Sequence, residues 1–182
     1  PTTDETSVPG YTSGRKTELS GATIYWSAAT GAHEVHGAIL GKWLVSGGPA
    51  WCGLPVSDEQ NVTGVSGAKY NQFQGANVYW SAGTGAREVH GAILAKYLAL
   101  DPAALGLPTT DETSVPGYAS GRKTELSGAT IYWSAVTGAH EVHGAIRDKW
   151  LVSGGPAGFA GLPLSDEQNV TGVTGAKYNQ FQ

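Results

Sequence analysis

Histidine and glutamate side chains recur together in this chain. The first group is the segment His33-Glu34-Val35-His36. Two histidines around a glutamate resemble a zinc-protease motif, but that motif places its histidines four positions apart on one face of a helix. Here they are three apart, in a segment whose residue types favour a strand, so they point to opposite faces. We expect no metal site and no cofactor.

The second copy of this segment begins with Arg87, which cannot ligate a metal as imidazole does, while the third copy restores the histidine. The glutamate in each copy could serve as a catalytic acid, but a glycosidase needs a second carboxylate placed across the scissile bond. Enzymes rarely carry several copies of one site in a row. The pattern therefore favours binding or spacing over catalysis, and we expect no enzyme.

A Tyr-Trp pair precedes each of these segments, and a basic residue recurs ahead of the pair. Alternation along a strand predicts that Ile24, Trp26, His33 and Val35 face the core, whereas Thr23 and Tyr25 face outward with the glutamate and the last histidine. An outward tyrosine could stack on a sugar. The candidate ligand-binding residues are Tyr25, Glu34, His36 and Arg15, then Tyr79, Glu88, His90 and Lys69, then Tyr132, Glu141, His143 and Arg122.

Structural alternatives to this hypothesis stay open. Each histidine could instead be buried and bonded to the backbone, and each basic residue could be solvated or packed on an aromatic ring. Asp-Glu pairs follow each Leu-Pro and resemble turn or cap residues more than calcium ligands, because the ligand density of a calcium loop is missing. The single cysteine, Cys52, is predicted to be a small apolar filler.

The segments that carry these residues form a tandem array. Divided at its Leu-Pro pairs, the 182-residue chain gives units of 1–53, 54–106 and 107–161 and a partial unit of 162–182. The first and third units are near copies, with four differences between residues 1–50 and 108–157. The second matches the partial fourth, with two differences between residues 54–74 and 162–182. The pattern is therefore A, B, A, B, produced either by alternating environments or by duplication of a two-unit block.

Each unit reads as a small sheet with a short helix. Residues 23–27 and 32–36 predict a hairpin around a Gly-containing turn, and residues 15–19 and 69–73 predict a further strand. Residues 38–45 predict a short helix that ends at a Gly pair. The fold class expected is a β-rich tandem repeat of α+β units, each a small antiparallel sheet or hairpin plus a short helix. The units would form an elongated stalk with alternating units, or alternatively a closed propeller-like array.

Composition narrows the partners. The formal net charge is −4 and the 11 Lys and Arg are scattered along the chain, so nucleic acid is not an expected partner. No apolar run approaches the length that spans a membrane. The 27 Gly and six Trp predict a folded chain with many turns and large anchors for small cores.

The motifs as a whole resemble a known family. ALGLP at 104–108, AGLP at 160–163 and the segment IYWSAxTGAHEVHGAI are similar to the LGFP repeat of actinobacterial cell-envelope proteins. The name-giving phenylalanine is replaced by Leu54, Leu107 and Leu162.

The resemblance implies a secreted, cell-envelope array of non-catalytic units, often attached to mycolyltransferases, peptidoglycan hydrolases or other envelope enzymes. The expected partner is cell-wall polysaccharide, peptidoglycan or arabinogalactan, gripped at repeated sites. The alternative is a structural spacer or a self-assembling filament segment that presents another domain or partner.

Overall fold

The computed structural model describes all residues from 1 to 182, and they form two compact units, Pro1–His90 and Gly91–Gln182. The division falls inside the second sequence repeat, between its last strand and its helix. The first unit therefore contains one boundary between consecutive repeats, and the second unit contains two. None of the helices combines the length and apolar character needed to cross a membrane.

The first unit contains two four-stranded antiparallel sheets with two helices between them in the chain. Strand order follows chain order in both sheets. The first sheet consists of β1 (Thr6–Ser7), β2 (Arg15–Glu18), β3 (Ala22–Ser27) and β4 (Gly31–His36), and α1 (Gly37–Val45) and α2 (Pro49–Cys52) follow it. The second sheet consists of β5 (Gln60–Asn61), β6 (Lys69–Gln72), β7 (Ala76–Ser81) and β8 (Gly85–His90).

The second unit begins with two helices and continues with a third sheet of the same order. Its elements are α3 (Gly91–Ala99), α4 (Pro102–Leu105), β9 (Thr113–Ser114), β10 (Arg122–Glu125), β11 (Ala129–Ser134), β12 (Gly138–His143) and α5 (Gly144–Val152), then a 3-10 turn (Gly155–Ala157) and the two-stranded ladder of β13 (Gln168–Asn169) and β14 (Lys177–Tyr178). The predicted hairpins, third strands and short helices are confirmed. All sheets are open, so the chain forms neither a barrel nor the propeller considered as an alternative.

The β3–β4 turn is closed by side chains as well as by backbone. The Thr30 N–H donates to Ser27 Oγ at 3.2 Å, and the two hydroxyls lie 2.8 Å apart. Gly31 then takes a φ of 82°, in the left-handed region that glycine enters without strain. Ser81 with Thr84 and Ser134 with Thr137 repeat this arrangement. The turn fixes the register of each hairpin.

That register corrects the predicted faces of β3. Tyr25 lies opposite His33 and Thr23 opposite Val35, and directly opposed residues share one face of a sheet. Tyr25 is 3% exposed on the buried side, while Trp26 on the other face is 42% exposed. The inward placement of Val35 is confirmed. The inward placement of Ile24 and Trp26 and the outward placement of Thr23 and Tyr25 are wrong, because the turn couples Tyr25, not its neighbours, to the face of Val35.

Helix α1 packs against its own sheet and against the sheet of the following repeat, on β7 and β8. Trp43 is the centre of this arrangement, fully buried, with its ring edge-on to Tyr25 and stacked on Phe73. Val78, the counterpart of Ile24, is buried beneath the helix. The second sheet therefore buries both faces of its central strand, whereas the first sheet buries one.

The second unit repeats this packing. Helix α3 packs on β11 and β12, and Ile131 is fully buried. Trp150 of α5 lies edge-on to Tyr132 at 5.0 Å and stacks on Phe181 of the partial repeat at 5.3 Å. Its indole N–H donates to the Gly161 carbonyl at 3.2 Å. One helical tryptophan thus joins the cores of two consecutive repeats in each unit.

Candidate functional site

The three tyrosines predicted to bind ligand lie in the core. Tyr25, Tyr79 and Tyr132 are each 3% exposed, so their rings are not available to stack on a sugar. Burial raises the pKa of Tyr79 and Tyr132 to about 12, and it raises the pKa of Tyr25 as well. Their outward orientation was predicted wrongly, and they leave the candidate site.

The neighbouring tryptophans reach the surface instead. Trp26 is exposed, and Trp80 and Trp133 are partly exposed. Each indole lies directly opposite the recurring basic residue: Arg15 opposite Trp26, Lys69 opposite Trp80 and Arg122 opposite Trp133. These indoles, each beside a cation, replace the tyrosines as the exposed aromatic groups. Only Trp26 lies on an open sheet face, because α1 covers the face that carries Trp80 and α3 covers the face that carries Trp133.

Glu34 and His36 meet residues of the following repeat rather than Arg15 of their own. His36 Nε2 lies 3.7 Å from Glu34 Oε2 and 3.4 Å from Glu59 Oε2. Lys69 Nζ lies 3.8 Å from Glu59 Oε1 and 2.7 Å from Asn61 Oδ1. We call Glu34, His36, Glu59 and Lys69 the first junction cluster. Apart from Glu59, its side chains are about one third to one half exposed.

The second unit contains the same cluster. His143 Nδ1 lies 2.7 Å from Glu141 Oε2, and His143 Nε2 lies 3.5 Å from Glu167 Oε2. Lys177 Nζ lies 3.8 Å from Glu167 Oε1. Glu141, His143, Glu167 and Lys177 form the second junction cluster. Glu141 is almost fully buried, so the hydrogen bond from His143 also compensates a desolvated carboxylate.

The remaining candidates form ion pairs with a glutamate or a histidine. Glu88 Oε2 lies 3.6 Å from His90 Nε2 in the first unit. Arg122 Nε lies 3.5 Å from Glu112 Oε1 in the second, and Arg15 Nε lies 3.4 Å from Glu5 Oε1. Arg15, Lys69 and Arg122 therefore each pair with the glutamate of an Asp-Glu dipeptide.

Those Asp-Glu dipeptides fasten one repeat to the next. Asp58 Oδ1 accepts the Glu34 N–H at 3.1 Å, and Glu34 Oε1 accepts the Glu59 N–H at 3.1 Å. In the second unit, Asp166 and Glu141 accept the equivalent hydrogen bonds, from the Glu141 and Glu167 N–H groups. The sequence predicted turn or cap residues here because the hydrogen-bond partners of these dipeptides lie more than twenty positions upstream, a separation that no local motif reveals.

A buried asparagine adds two hydrogen bonds to the connection between the first and second repeats. Asn71 Nδ2 donates to the carbonyls of Glu34 and Ser57, both at 3.1 Å, and Asn71 is fully buried. Asn179 makes the same two bonds in the second unit, to Glu141 and Ser165. Neither asparagine was singled out from the sequence, because an isolated Asn in a polar segment carries no signal of its own.

The groups that could support metal or thiol chemistry do not form a site. No three His, Cys, Asp or Glu residues are arranged to hold a metal ion. His33 and His36 lie on opposite faces of β4, as their spacing predicts. Cys52 is buried, and burial raises the pKa of its thiol to about 12. The thiol is therefore an apolar filler, protonated at neutral pH.

One apolar groove of about 460 Å³ lies on α5 in the second unit. Its lining includes Ile146, Trp150, Phe159 and Phe181. The equivalent face of α1 in the first unit is covered by β7 and β8. The groove therefore corresponds to a surface that the first unit uses for packing between repeats.

Comparison with known proteins identifies the family of the repeat. The family model of the LGFP repeat matches three times, at residues 1–50, 53–103 and 105–158. The chain belongs to the LGFP repeat family. LGFP repeats are modules of cell-envelope proteins, so the chain is a repeat module of that class. No curated protein matches the sequence. An LGFP fold made entirely of small repeats favours a non-catalytic domain, and the junction clusters are then its principal polar feature.

Proposed function

We propose that this chain is a non-catalytic LGFP module that binds cell-envelope polysaccharide, peptidoglycan or arabinogalactan, at sites repeated along the chain. The binding surface is the first junction cluster together with Trp80. The observation that carries the proposal is the continuity of this surface: Trp80 lies opposite Lys69, Lys69 contacts Glu59, and Glu59 contacts His36. A secreted protein of the cell envelope would meet such polymers directly.

The chemistry of this surface suits a sugar. An indole offers a flat apolar face, and partly exposed carboxylate, imidazole and ammonium groups offer acceptors and donors for hydroxyl groups. Ligand sites commonly combine an aromatic surface with a few fixed polar groups. Glu34, His36 and Lys69 remain in the proposal, Trp80 replaces the tyrosine, and Glu59 is added. Arg15 with Trp26 and Arg122 with Trp133 are the corresponding pairs elsewhere in the chain.

Affinity would come from number rather than from any single site. A polymer that contacts both junction clusters binds more tightly than a short oligosaccharide, because the second contact is intramolecular. Lys69→Ala and Lys177→Ala should each weaken binding to the polymer much more than binding to an oligosaccharide too short to reach both clusters. Equal effects on the two ligands would contradict repeated sites.

The direct test is binding of the purified chain to fractionated envelope polysaccharides, with Trp80→Ala and Lys69→Ala as variants. We expect Trp80→Ala to weaken binding by about tenfold, which corresponds to roughly 1.4 kcal/mol. Lys16→Ala is the charge-matched control, since Lys16 pairs with Glu18 outside the cluster. Binding by no polymer, or equal binding by Trp80→Ala and the parent chain with both folded, would reject the proposal.

A structural spacer is the second candidate, and one observation favours it. The junction glutamates and histidines bind one another and the backbone of the next repeat, which is what a purely structural connection requires. A chain that binds none of the wall polymers, but whose junction variants lose stability, would support the spacer.

A further inference from the structure

The first histidine of the repeated segment has acceptors on both sides of its ring. His33 Nε2 lies 2.9 Å from the Thr30 carbonyl oxygen, and His33 Nδ1 lies 3.3 Å from Asp58 Oδ1 of the following repeat. His140 is placed similarly, with the Thr137 carbonyl 2.9 Å from its Nε2, but its Nδ1 lies 3.4 Å from Asp166 Oδ1, at ion-pair distance without a hydrogen bond. Neither a carbonyl nor a carboxylate can donate a hydrogen bond.

Only the charged form of the imidazole satisfies both neighbours. A neutral imidazole has one N–H, and donation to the Thr30 carbonyl leaves an Nδ1 lone pair facing the Asp58 carboxylate. The imidazolium form donates from both nitrogens and adds an ion pair across the repeat boundary. The neighbours of His33 and His140 therefore favour the protonated imidazole over the neutral one.

The second repeat carries a permanent cation at this position. Arg87 replaces the histidine, and its Nε donates to the Thr84 carbonyl at 3.1 Å, the counterpart of the Thr30 bond. Arginine keeps its charge at every accessible pH and has no acceptor. The same structural position is thus filled once by a fixed cation and twice by a titratable one.

We infer that His33 and His140 are pH-dependent clasps between consecutive LGFP repeats, closed when the imidazole is protonated and weakened when it is neutral. The repeat boundary that each histidine spans would be tight in mildly acidic surroundings and looser in alkaline ones. This inference does not depend on polysaccharide binding.

The charges around each clasp define its strength. Asp58 is largely exposed. Lys16 lies on the strand beside β3 and is bound to Glu18, and α1, which packs on β3 and β4, carries Lys42 as its one charged residue. Asp166 is more buried, and Lys96 of α3 lies 2.6 Å from its Oδ2. Lys123 lies on the strand beside β11 and is bound to Glu125, and α5, which packs on β12, carries Arg147, Asp148 and Lys149.

Asp166 stays ionised well into acid. Burial would raise the pKa of this carboxyl, but the Lys96 ammonium, the Glu141 N–H and His140 together hold the pKa below its usual range. The carboxylate partner of His140 therefore remains charged at neutral and mildly acidic pH. We expect the second clasp to be the stronger of the two, because its ion pair is less exposed to solvent.

The direction of the pH effect follows from proton binding. The folded chain gains a hydrogen bond and an ion pair from the charged imidazole, and the unfolded chain does not. We therefore expect each clasp to contribute more stability at acid pH than at alkaline pH.

The test is urea unfolding of the full chain, followed by tryptophan fluorescence at several pH values between 5.5 and 8.5. Between these limits we expect the unfolding equilibrium constant of the parent chain to rise about five- to tenfold more than that of the His33→Arg, His140→Arg double variant, which imitates Arg87. Equal pH dependence in the two proteins would overturn the inference.

Substitution of the aspartates supplies a second measurement should the arginine variant fail to fold. Asp58→Asn with Asp166→Asn keeps an oxygen acceptor for the Glu34 and Glu141 N–H groups but removes the charge that favours imidazolium. The pH dependence should fall by the same factor, and adding His33→Gln and His140→Gln should lower it no further. Full additivity of the two pairs of changes would show that histidine and aspartate act separately. His36→Gln with His143→Gln measures the contribution of the junction clusters.

Discussion

The Tyr25 and Trp43 rings meet edge to face, with centroids 4.9 Å apart and planes at 90°. The Trp43 ring also stacks on Phe73 of the next repeat, with centroids 4.8 Å apart. Aromatic pairs in these arrangements contribute about 0.5 to 1.5 kcal/mol beyond the area they bury. Trp43 therefore stabilises two repeats at once.

Truncation of this tryptophan should destabilise the first unit severely. We expect Trp43→Ala to lower the free energy of unfolding by about 3 to 5 kcal/mol, because a fully buried ring leaves a cavity shared by two sheets. Urea unfolding monitored by circular dichroism measures the change. Trp26→Ala is the matched control, since its ring is 42% exposed, and it should cost less than about 1 kcal/mol. Similar losses in the two variants would contradict the assigned packing.

The buried tyrosines should make the fold sensitive to alkali. Burial raises the pKa of Tyr79 and Tyr132 from 10.0 to about 12, so the folded chain retains protons that the unfolded chain has released. Their contribution is complete below pH 10 and is lost as pH rises through about 12. The ultraviolet absorbance of tyrosinate should show that some tyrosines ionise only at higher pH, at the same pH as the chain unfolds. Titration of all eight tyrosines near their ordinary pKa would contradict this burial.

Asn71 should be intolerant of an isosteric acid. Asn71→Asp removes the donor shared by the Glu34 and Ser57 carbonyls and places a carboxylate where no solvent reaches it. We expect a loss of about 3 kcal/mol or more at neutral pH, reduced in acid as the new carboxyl is protonated. Asn179→Asp is the control, because Asn179 makes the same bonds but is only partly buried. An equal loss from both variants would show that burial does not determine the cost.

Cys52 should resist alkylation while the chain is folded. Burial penalises the thiolate and raises the pKa of this thiol to about 12. Iodoacetamide at pH 8 should therefore react with the folded chain at least about a hundredfold more slowly than with the urea-unfolded chain. Mass spectrometry measures both rates. Reaction at the unfolded rate without urea would mean that the thiol is accessible.

Much of the fold could be predicted from local pattern. The Ser-x-x-Thr-Gly turn, the strand-favouring residues on both sides and the Gly pair after the helix act within a few residues of one another. The internal repeats are also visible in the sequence itself. These features depend on short-range sterics and hydrogen bonds, which the sequence displays directly.

The face of β3 and the composition of the candidate site could not be predicted in the same way. Ile24 and Trp26 are more apolar than Tyr25, so hydrophobicity alone placed them inside, but the turn couples Tyr25 to the face of Val35. Glu34 and His36 were grouped with Arg15, whereas their partners are Glu59 and Lys69 of the following repeat. Contacts between repeats depend on where each helix packs, and nothing within a single repeat specifies that.

Because Trp43 completes its core with Phe73, the segment that is copied in the sequence and the segment that folds are out of phase. A gene duplication that adds one sequence repeat adds a helix whose hydrophobic partner is encoded in the next copy. Such an array can lengthen or shorten without requiring a new interface, but the stability of each copy depends on packing against its neighbour. Selection on any one repeat therefore acts on adjacent pairs, and substitutions in the helix of one copy should be tolerated according to the sheet of the next.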